Sequence, residues 1–500
     1  METVVYRVTT AALQSSSTVK IMPITAMIDK VLLHFPAGCF KAGTNILMDN
    51  GSIEKIEQVK IGMNVACHNS HGKVLNTYKR DYSGDIYKID SLEVTPEHPF
   101  LAVKKDDVLR GGRTLFPGGR LWNRYRSKPS WEPKWIKAKH LSEGDFVVSP
   151  ILKDEKDVEN IDLSIFMEDK EYSHNEIKKV RDKEISDGYI RNKYGKRKIK
   201  RYIDVDELFL RLAGYYLSDG SLRYSRIYDK TNNSDIPTGI SFTFCIDEDE
   251  YVDDVVSICN TIFGIKPYVK KRKNKNVTDI NLTNVLIARM FKQLFGEHFD
   301  GKFIHPMFMK LPLEKQRCLI DGIWRGDGTV NKTNKTINLK NERLLYQVYT
   351  ILNRLRLYPS LFLSSWSVSY LENCINQHKF YHNGFLFKKI HKINKENYDG
   401  KVYNLNVDKY NSYIANNLAV HNCNSLVEIL INHGTVQIFP YPPGGLALND
   451  VTPEYEMNQN VVINDSIEVF IQNHDNLNPH TVTVTLHLNE LKLEKEGERR

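Results

Sequence analysis

The residues with the clearest chemical potential are His421, Asn422 and Cys423, which follow one another in the chain. The side-chain amide of Asn422 can attack its own carbonyl carbon, close a succinimide and break the backbone, and His421 is placed to assist. Cys423 supplies a thiol on the far side of the same bond. Such a device needs a matching upstream nucleophile, and Cys39, which follows Gly38, is the candidate. The sequence therefore predicts that residues 39–422 form a removable insert.

A second chemical signal is a motif that occurs twice. Glycine, four further residues and Asp-Gly form residues 214–220 and again residues 322–328, each after apolar residues at helical spacing. A glycine inside a helix costs about 1 kcal/mol relative to alanine, so its repetition favours a close approach of two helix backbones. Two such helices, side by side, would bring Asp219 and Asp327 together at their C-terminal ends. A single copy would indicate only a turn that ends a helix.

Two carboxylates in one place repel each other unless a cation lies between them. Mg2+ suits all-oxygen ligation and phosphate substrates. The paired motif therefore predicts metal-dependent hydrolysis of phosphodiesters, in which the metal activates water and stabilises the leaving oxygen.

Charge is distributed unevenly along the chain. The chain carries +8, residues 1–38 carry +1 and residues 423–500 carry −7, so residues 39–422 carry +14. A basic insert between non-basic flanks indicates a polyanionic partner for the insert alone. Two basic clusters are candidate phosphate contacts, with a solvated surface as the alternative for the first: Lys196, Arg197 and Lys198, and then Lys270, Lys271, Arg272 and Lys273 on an expected hairpin.

Length and composition narrow the class of protein. A chain of 500 residues should hold several domains, since domains average about 100–200 residues. The seven cysteines form no metal-binding or disulfide pattern, which is typical of a reducing compartment. The first residues do not form a signal peptide, and no apolar run is long enough to span a bilayer. We therefore expect an intracellular, cytoplasmic protein with no membrane partner.

The predicted fold class is a multidomain α+β protein. Residues 1–38 and 423–500 are interpreted as two parts of one small β-rich host domain, which would have 116 residues when joined. Within it, residues 466–471 and 481–488 alternate polar and apolar side chains like half-buried strands. The insert is divided into a β-rich part at 39–150, a charged connector and candidate DNA contact at 151–205, a duplicated unit at 206–394 and a closing part at 395–422.

The paired motifs resemble those of the LAGLIDADG, or dodecapeptide, homing endonucleases. The resemblance implies a monomeric enzyme of two αββαββα halves related by a pseudo-twofold axis, each laying a sheet into the DNA major groove. It implies a long asymmetric double-stranded DNA target, the host gene without the insert. Mg2+ would be held by Asp219 and Asp327, with the carbonyls of Ser218 and Gly326 as further ligands, and Lys302 would be a functional lysine.

Residues 39–150 and 395–422 resemble the Hint splicing domain of inteins, an all-β horseshoe. Cys39 stands where the first intein residue stands, and residues 95–98 fit the Thr-x-x-His element of that family. Residues 402–407 and 420–423 fit its two C-terminal elements in order and spacing. The resemblance to the two families covers essentially all of residues 39–422.

The resemblance implies an order of reactions. The Cys39 thiol attacks the Gly38 carbonyl and converts the amide into a thioester, while His98 protonates or polarises the departing nitrogen and Thr95 helps to hold the bond. Cys423 then attacks the thioester and forms a branched intermediate. Cyclisation of Asn422, assisted by His421, releases the insert, and the last thioester rearranges to a peptide bond.

The chain departs from the splicing family at two positions. Asn404 stands where many relatives have an ionisable Asp, and Asn411 lies near a position where some relatives have a histidine. We therefore expect slow or altered splicing. One alternative is a Hint-domain DNA-binding protein that has lost its endonuclease activity, full splicing activity or both. Another is a Hint domain that only cleaves, as in hedgehog-type autoprocessing, although that reaction needs neither Asn422 nor Cys423.

Overall fold

The computed structural model divides the chain into two compact units. The first consists of Met1–Asp49, Ile53–Pro150 and Ile375–Arg500, and the second of Asn50–Ser52 and Ile151–Cys374. The division therefore places residues 375–394 with the first unit, whereas the sequence predicts that the duplicated unit extends to residue 394. The structure describes the following residues: 3–13, 16–21, 26–34, 38–110, 132–167, 188–191, 198–224, 237–331, 334–372, 378–421, 425–431, 434–439, 454–461, 467–473 and 480–490.

The first 150 residues form short and long strands with one described α-helix, α1 (Lys105–Arg110). Single 3-10 turns lie at Ile56–Gln58 and Ala138–His140. The strands are Thr3–Leu13 (β1), Ser16–Ile21 (β2), Ala26–His34 (β3), Phe40–Lys41 (β4), Asn45–Leu47 (β5), Ile53–Lys55 (β6), Asn64–Ala66 (β7), His71–Ile89 (β8), Leu92–Val94 (β9), Pro99–Val103 (β10), Lys134–Lys137 (β11) and Phe146–Pro150 (β12).

Residues 151–374 mix helices and strands. The helices are Glu207–Asp219 (α2), Asp249–Phe263 (α3), Val285–Phe295 (α4), His298–Gly301 (α5), Pro306–Met309 (α6), Leu313–Asp327 (α7) and Glu342–Arg354 (α8). The strands are Asn160–Asp162 (β13), Tyr189–Ile190 (β14), Ile199–Lys200 (β15), Tyr202–Asp204 (β16), Gly220–Tyr224 (β17), Pro237–Cys245 (β18), Tyr268–Arg272 (β19), Val277–Thr283 (β20), Gly328–Asn331 (β21), Asn334–Asn338 (β22), Ser360–Phe362 (β23) and Ser367–Tyr370 (β24). Three 3-10 turns lie at Leu163–Phe166, Lys273–Lys275 and Leu363–Ser365.

The regular elements among the remaining described residues are strands. They are Lys379–His382 (β25), Phe385–Lys389 (β26), Ile393–Val407 (β27), Ser412–Ala415 (β28), Leu418–His421 (β29), Ser425–Ile431 (β30), Gly434–Phe439 (β31), Glu454–Val461 (β32), Ile467–Asn473 (β33) and His480–Glu490 (β34).

Two sheets make up the centre of the first unit. One has the order β25-β26-β12-β10-β29-β28-β5-β6 with β11 added to β10, and the other has the order β27-β4-β9-β8-β7. The long strands β8 and β27 pair from Ile89 opposite Ile393 to Val74 opposite Val407. Buried Phe40, Phe100 and Tyr413 belong to one apolar core that both sheets line. The beginning and the end of residues 39–421 thus share one set of strands.

The strands before residue 38 pair with strands after residue 423. The orders are β1-β34-β3-β32 in one four-stranded sheet and β2-β33-β30-β31 in another. β1 begins with Thr3 opposite Asn489, and β2 begins with Ser16 opposite Gln472. The two alternating segments near residues 466–471 and 481–488 are the strands β33 and β34. The two flanks therefore share sheets, and their assignment to one host domain stays a prediction.

The second unit contains two halves with the same order of elements. In the first half, α2 precedes β17 and β18, α3 precedes β19 and β20, and α4 follows. In the second half, α7 precedes β21 and β22, and α8 precedes β23 and β24. The sheets have matching strand orders, β17-β18-β20-β19 and β21-β22-β24-β23. Side-chain caps fix the starts of three helices, since Asp206, Asn284 and Asn341 each accept a hydrogen bond from a first-turn amide.

The described parts of residues 151–205 pack with the second unit. Ile161, Leu163, Ile190 and Ile203 are buried in the same apolar core as α2. Arg201 also holds Asp162 through two hydrogen bonds, of 3.0 and 2.7 Å. The segment is therefore more than the charged connector that its composition indicates. None of the described helices combines the length and the apolar character needed to cross a bilayer.

Candidate active sites

The first candidate site surrounds the Gly38–Cys39 peptide bond. β4 begins at Phe40 and lies between β9 and β27, with Phe40 opposite Val94 on one side and opposite Tyr403 on the other. This register brings Thr95, which follows β9, and Asn404 of β27 to the Gly38–Cys39 bond. The Cys39 side chain has no exposed surface. The bond therefore lies in a dry environment, where hydrogen bonds to it are stronger than in water.

Thr95 and Asn404 hold the two sides of this bond. The Cys39 amide donates to Thr95 Oγ1 at 2.8 Å, and the Thr95 amide donates to the Cys39 carbonyl at 2.9 Å. Asn404 Nδ2 donates to the Gly38 carbonyl at 2.8 Å. Both the nitrogen and the oxygen of the bond are thus held by buried polar side chains.

His98 lies directly against the same bond. Its backbone amide donates to the Thr95 carbonyl at 3.1 Å, and its ring meets Phe40 edge to face at 4.1 Å. A Cβ added to Gly38 would lie 2.7 Å from His98 Nδ1, so only glycine fits beside the ring. Burial lowers the pKa of His98 to about 3, against the opposing effect of the Gly38 backbone. The ring is therefore neutral near pH 7 and has a lone pair for a proton.

Arg80 contacts the sulfur that would attack. Its Nε donates to Cys39 Sγ at 3.3 Å, and the guanidinium lies over the Tyr82 ring at 5.1 Å. Arg80 is almost fully buried on β8, opposite Val402 of β27. Arg80 is not among the residues predicted from the sequence, because no local pattern connects an arginine of β8 with Cys39.

His421 ends β29 on the neighbouring sheet. It lies opposite Ser412 in β28, and its ring packs against Trp135 at 4.8 Å. Val420 lies opposite Phe100 of β10, which follows His98 by two residues. This register places His421 near the segment that carries His98. The chain therefore brings the two predicted ends of the insert together. Asn422 and Cys423 lie outside the described residues.

A second histidine, His68, packs beside His421. Its Nδ1 is 2.7 Å from Ser412 Oγ, and its ring meets Trp135 at 5.4 Å. Burial, with a smaller contribution from His421, lowers the pKa of His68 to about 4. Sequence reasoning missed His68, which follows β7 and is far from residue 421 in the chain. The His68 ring also meets the ring of Tyr410, the neighbour of Asn411 in the chain, at 5.9 Å.

The second candidate site lies where α2 and α7 meet. A Cβ on Gly214 would lie 2.5 Å from the Leu319 carbonyl oxygen and 2.6 Å from the Gly322 Cα. A Cβ on Gly322 would lie 2.2 Å from the Arg211 carbonyl oxygen. The two glycines therefore allow the contact between helix backbones that the repeated motif predicts.

The two aspartates end these helices side by side. A Cβ on Gly326 would lie 2.3 Å from Asp219 Oδ2, so this carboxylate touches the backbone of the other motif. Burial and the Asp327 charge raise the pKa of Asp219 to about 7, and burial also raises the pKa of Asp327. Asp219 Oδ2 is buried and has no hydrogen-bond partner among the described residues. A cation would satisfy that oxygen and remove the repulsion.

Lys302 reaches the same place from the turn after α5. Its Nζ donates to the carbonyls of Leu217 and Ser218 at 3.1 and 2.9 Å. Burial lowers the pKa of this amine to about 8, although both aspartates act in the opposite direction. The Ser218 carbonyl, expected as a metal ligand, is therefore engaged by Lys302. The side-chain donors here that fit a hard cation are the carboxylates of Asp219 and Asp327. The Gly326 carbonyl stays a predicted ligand.

The predicted phosphate contacts differ in their surroundings. Lys270 and Lys271 are exposed on β19, which forms the expected hairpin with β20. Lys271 pairs with Asp249 at 2.7 Å and Arg272 pairs with Asp279 at 2.5 Å, so part of this charge is already neutralised. Lys273 follows on an exposed 3-10 turn, and Lys198 is exposed before β15. Lys196 and Arg197 lie outside the described residues.

Comparison with protein families gives two matches. The intein splicing domain family matches residues 129–422, which is more than half of the chain, and the Hint-domain family matches residues 38–106. An uncharacterized protein of Methanocaldococcus jannaschii is 27% identical over 78% of this chain and 50% of its own length. An iron-sulfur cluster assembly SufBD family protein of Mycobacterium tuberculosis is 24% identical over 78% of this chain and 43% of its own length. The chain thus spans half or less of these relatives.

Solved structures of homing endonucleases are also similar to part of the chain. I-DmoI in complex with DNA and Mn is 15% identical, with 34% of this chain and 90% of that chain covered at a TM-score of 0.27. I-WcaI bound to its DNA recognition sequence is 14% identical, with 33% and 76% covered at a TM-score of 0.24. TM-scores of 0.27 and 0.24 do not by themselves indicate a nuclease function for this chain.

Proposed function

The chain belongs to the intein splicing domain family, and from that premise we propose that residues 39–422 excise themselves and join Gly38 to Cys423. One observation carries the proposal. Thr95 and His98, from the turn between β9 and β10, and Asn404, from β27, converge on the Gly38–Cys39 bond, with every side chain buried. A structural role alone would not require polar groups on the nitrogen, the oxygen and the flank of one peptide bond.

The first step is a shift of the Gly38 acyl group from nitrogen to sulfur. The Cys39 sulfur attacks the Gly38 carbonyl carbon, and the bond from that carbon to the Cys39 nitrogen breaks. Neutral His98 can accept the thiol proton and return it to the departing nitrogen, as general base and then general acid. Thr95 Oγ1 accepts a hydrogen bond from the Cys39 nitrogen at 2.8 Å. This contact fixes the direction in which the lone pair of the Cys39 nitrogen develops.

The later steps take place at the other end of the insert. Cys423 attacks the thioester carbonyl, which transfers residues 1–38 to its sulfur and frees the Cys39 thiol. The Asn422 amide nitrogen then attacks its own carbonyl carbon and releases Cys423 with a free amine. That amine attacks the neighbouring thioester and forms the Gly38–Cys423 peptide bond. His421, held by Trp135 and β28, is the group that can protonate the departing Cys423 nitrogen.

Single substitutions separate these steps. Asn422→Ala should stop release at the branched or thioester stage, and Cys39→Ala should stop the first step while it leaves Asn422 able to cyclise. We expect the parent chain to yield a ligated product of residues 1–38 and 423–500, resolved by mass spectrometry. If the Cys39→Ala protein produced the same ligated product, the proposed order of steps would be wrong.

We further propose that residues 206–374 cleave double-stranded DNA with the help of Mg2+. The observation that favours this function is the pair of buried carboxylates, Asp219 and Asp327, at the contact of two glycine-packed helices. When bound there, Mg2+ would supply charge stabilisation and an activated water for phosphodiester hydrolysis. Asp219, Asp327 and the Gly326 carbonyl would hold it, and Lys302 orients the end of α2 through the Ser218 carbonyl.

The arrangement of the sheets supports DNA as the partner. The two halves have matching strand orders, which fits a monomer with pseudo-twofold symmetry that meets the two strands of a duplex. On β18 and β20, polar side chains such as Thr243 and Asp279 alternate with buried apolar ones. Such a sheet offers one polar face to base edges, and the major groove admits a two-stranded ribbon. For the splicing part, residues 39–150 and 395–422, we propose the horseshoe fold of the Hint domain.

The test of cleavage uses the host gene without the coding sequence of the insert, because homing would act on that uninterrupted sequence. Asp219→Ala and Asp327→Ala should abolish cleavage while they preserve binding to the same duplex. Asp253→Ala is a matched control, since Asp253 is an exposed acid on α3. A doubly substituted protein that still cuts the duplex would refute the assignment, and a parent that binds without cutting would favour a DNA-binding role alone.

A further inference from the structure

Asn404 is oriented by three contacts at once. Its Oδ1 accepts hydrogen bonds from the Leu405 amide at 2.7 Å and from the Tyr413 hydroxyl. Because both partners are donors, the amide oxygen must face them. The amide nitrogen must then face the Gly38 carbonyl, to which it donates at 2.8 Å. If the amide were rotated by half a turn, its nitrogen would face the Leu405 amide and the Tyr413 hydroxyl, and its oxygen would face the Gly38 carbonyl oxygen.

We propose that the Asn404 amide is the oxyanion-stabilising group of the first acyl shift and that Arg80 stabilises the attacking Cys39 thiolate. The inference rests on the splicing reaction proposed above and assigns two further residues to its first step. Asn404 touches the oxygen on which negative charge develops, and Arg80 touches the attacking sulfur. Both side chains are nearly fully buried, where such interactions act with little competition from water.

The amide explains why an acid would be unsuitable at this position in this chain. A carboxylate at residue 404 could keep the two accepted hydrogen bonds but would place a negative oxygen beside the Gly38 carbonyl oxygen. Charge that develops on the Gly38 oxygen would then be opposed rather than stabilised. Asn404 thus donates a hydrogen bond to the Gly38 carbonyl, which an ionised acid at this position could not do. The expectation of slow or altered splicing stays a prediction, and the amide has a specific role in either case.

Arg80 supplies the positive charge that Asn404 lacks. A guanidinium beside a sulfur favours the thiolate, which is the nucleophilic form of cysteine. The titratable groups that face Cys39 are Arg80, Tyr78 and Tyr82 from β8, Tyr398 from β27, and His98 after β9. Arg80 is the group among these five that remains cationic near pH 7, since His98 is neutral there.

The step balances without any further reactant. The sulfur–carbon bond between Cys39 and Gly38 forms, and the carbon–nitrogen bond of the same two residues breaks. The thiol proton leaves the sulfur, passes through His98 and ends on the Cys39 nitrogen. The negative charge moves from sulfur, beside Arg80, to the Gly38 oxygen, beside Asn404, and returns when the tetrahedral intermediate collapses. No atom is oxidised or reduced.

The test isolates the first step in the full chain that carries Asn422→Ala and Cys423→Ala. Dithiothreitol then releases residues 1–38 only if the Cys39 thioester forms, and the release rate is followed between pH 6 and 9. Asn404→Ala should slow release by about 10²–10³-fold, as for other lost oxyanion donors. Asn404→Asp should be much slower than the parent at pH 8 and approach the parent rate measured at the same pH as pH falls, because a protonated carboxyl can donate. Asn397→Ala, an exposed change on the same strand, is the matched control.

Arg80 is tested by the shape of the pH profile. Removing the cation in Arg80→Met should move the rise in rate to higher pH, because the thiolate forms less readily, while Arg80→Lys should move it less. Lys79→Met, an exposed neighbour on β8, should leave the profile unchanged. Thermal unfolding of every variant reports folding separately.

The possible outcomes are distinct. The inference is overturned if Asn404→Ala releases residues 1–38 within about twofold of the parent rate, or if Arg80→Met keeps the parent pH profile. It is also overturned if Asn404→Ala and Asn404→Asp are equally slow at every pH, which would mark a structural role. If the parent itself releases nothing with dithiothreitol, the proposed splicing function fails instead.

Discussion

Replacing Gly214 by alanine should destabilise the second unit, although alanine is normally the better residue inside a helix by about 1 kcal/mol. The added Cβ would lie 2.5 Å from the Leu319 carbonyl oxygen and 2.6 Å from the Gly322 Cα. Both atoms belong to the backbone of α7, so neither can rotate away as a flexible side chain would. The two helices would have to separate, and Asp219 and Asp327 would separate with them.

The magnitude follows from two opposing effects. Overpacking of a buried contact costs about 1–3 kcal/mol, and backbone contacts this short favour the upper end of that range. The intrinsic preference for alanine offsets about 1 kcal/mol of it. A net loss of about 2 kcal/mol in a unit of roughly 200 residues lowers its Tm by about 4–8 °C.

Thermal unfolding should be measured on the full chain with Cys39→Ala and Asn422→Ala, which keep it in one piece. DNA cleavage by the same protein should fall together with the Tm. Gly301→Ala is the matched control, because a Cβ at Gly301 meets nothing within 4 Å. A Gly214→Ala protein as stable as the parent would refute the close packing of α2 against α7.

Three further predictions concern charge and proton transfer. Folding raises the pKa of Asp219 from its ordinary value near 3.8 to about 7. Without Mg2+, the free energy of unfolding should therefore fall as pH rises through this range, because the buried carboxylate must ionise. Asp219→Asn should raise the Tm above that of the parent at pH 8 but not at pH 4, and equal Tm differences at both pH values would contradict this. Lys270→Ala should reduce the salt dependence of DNA binding by about 0.9 in log–log slope, and Lys271→Ala by less because Lys271 pairs with Asp249. His98→Gln should slow thiol-induced release of residues 1–38 by about 10²–10⁴-fold, and an unchanged rate would remove His98 from the mechanism.

The parts of the site that could be predicted from sequence are those marked by short fixed spacings. Cys39, the Thr95–His98 element and His421 could be proposed because they match short motifs of the splicing family that the sequence resembles. The contact of α2 with α7 could be predicted because a glycine in mid-helix needs a reason, and the repeat supplies one. These signals are local, so no knowledge of strand register is needed to read them.

The parts that could not be predicted depend on pairing between distant strands. Arg80 reaches Cys39 because β8 pairs with β27, whose residues lie more than 300 positions away in the chain. His68 reaches Trp135 and Ser412 by a similar long-range arrangement. For Asn404, the sequence shows a missing acid but cannot show that the amide donates to Gly38.

Domain boundaries were obscured for a different reason. Charged residues dominate the composition of 151–205, yet a few isoleucines such as Ile161 and Ile203 are enough to anchor its described parts in the core of the second unit. Likewise β25 and β26 follow the duplicated unit without a break in composition, but β26 pairs with β12 of the first unit. Composition averages over windows, whereas a boundary is decided by where individual apolar side chains are buried.

The most direct test of self-excision is intact-mass and peptide analysis of the unmodified chain after expression and incubation. Splicing predicts a ligated protein of 116 residues with a continuous Gly38–Cys423 peptide, together with an excised fragment of 384 residues that ends at Asn422 or its succinimide. Persistence of the 500-residue precursor, or release of the fragments without the Gly38–Cys423 junction, would contradict the account.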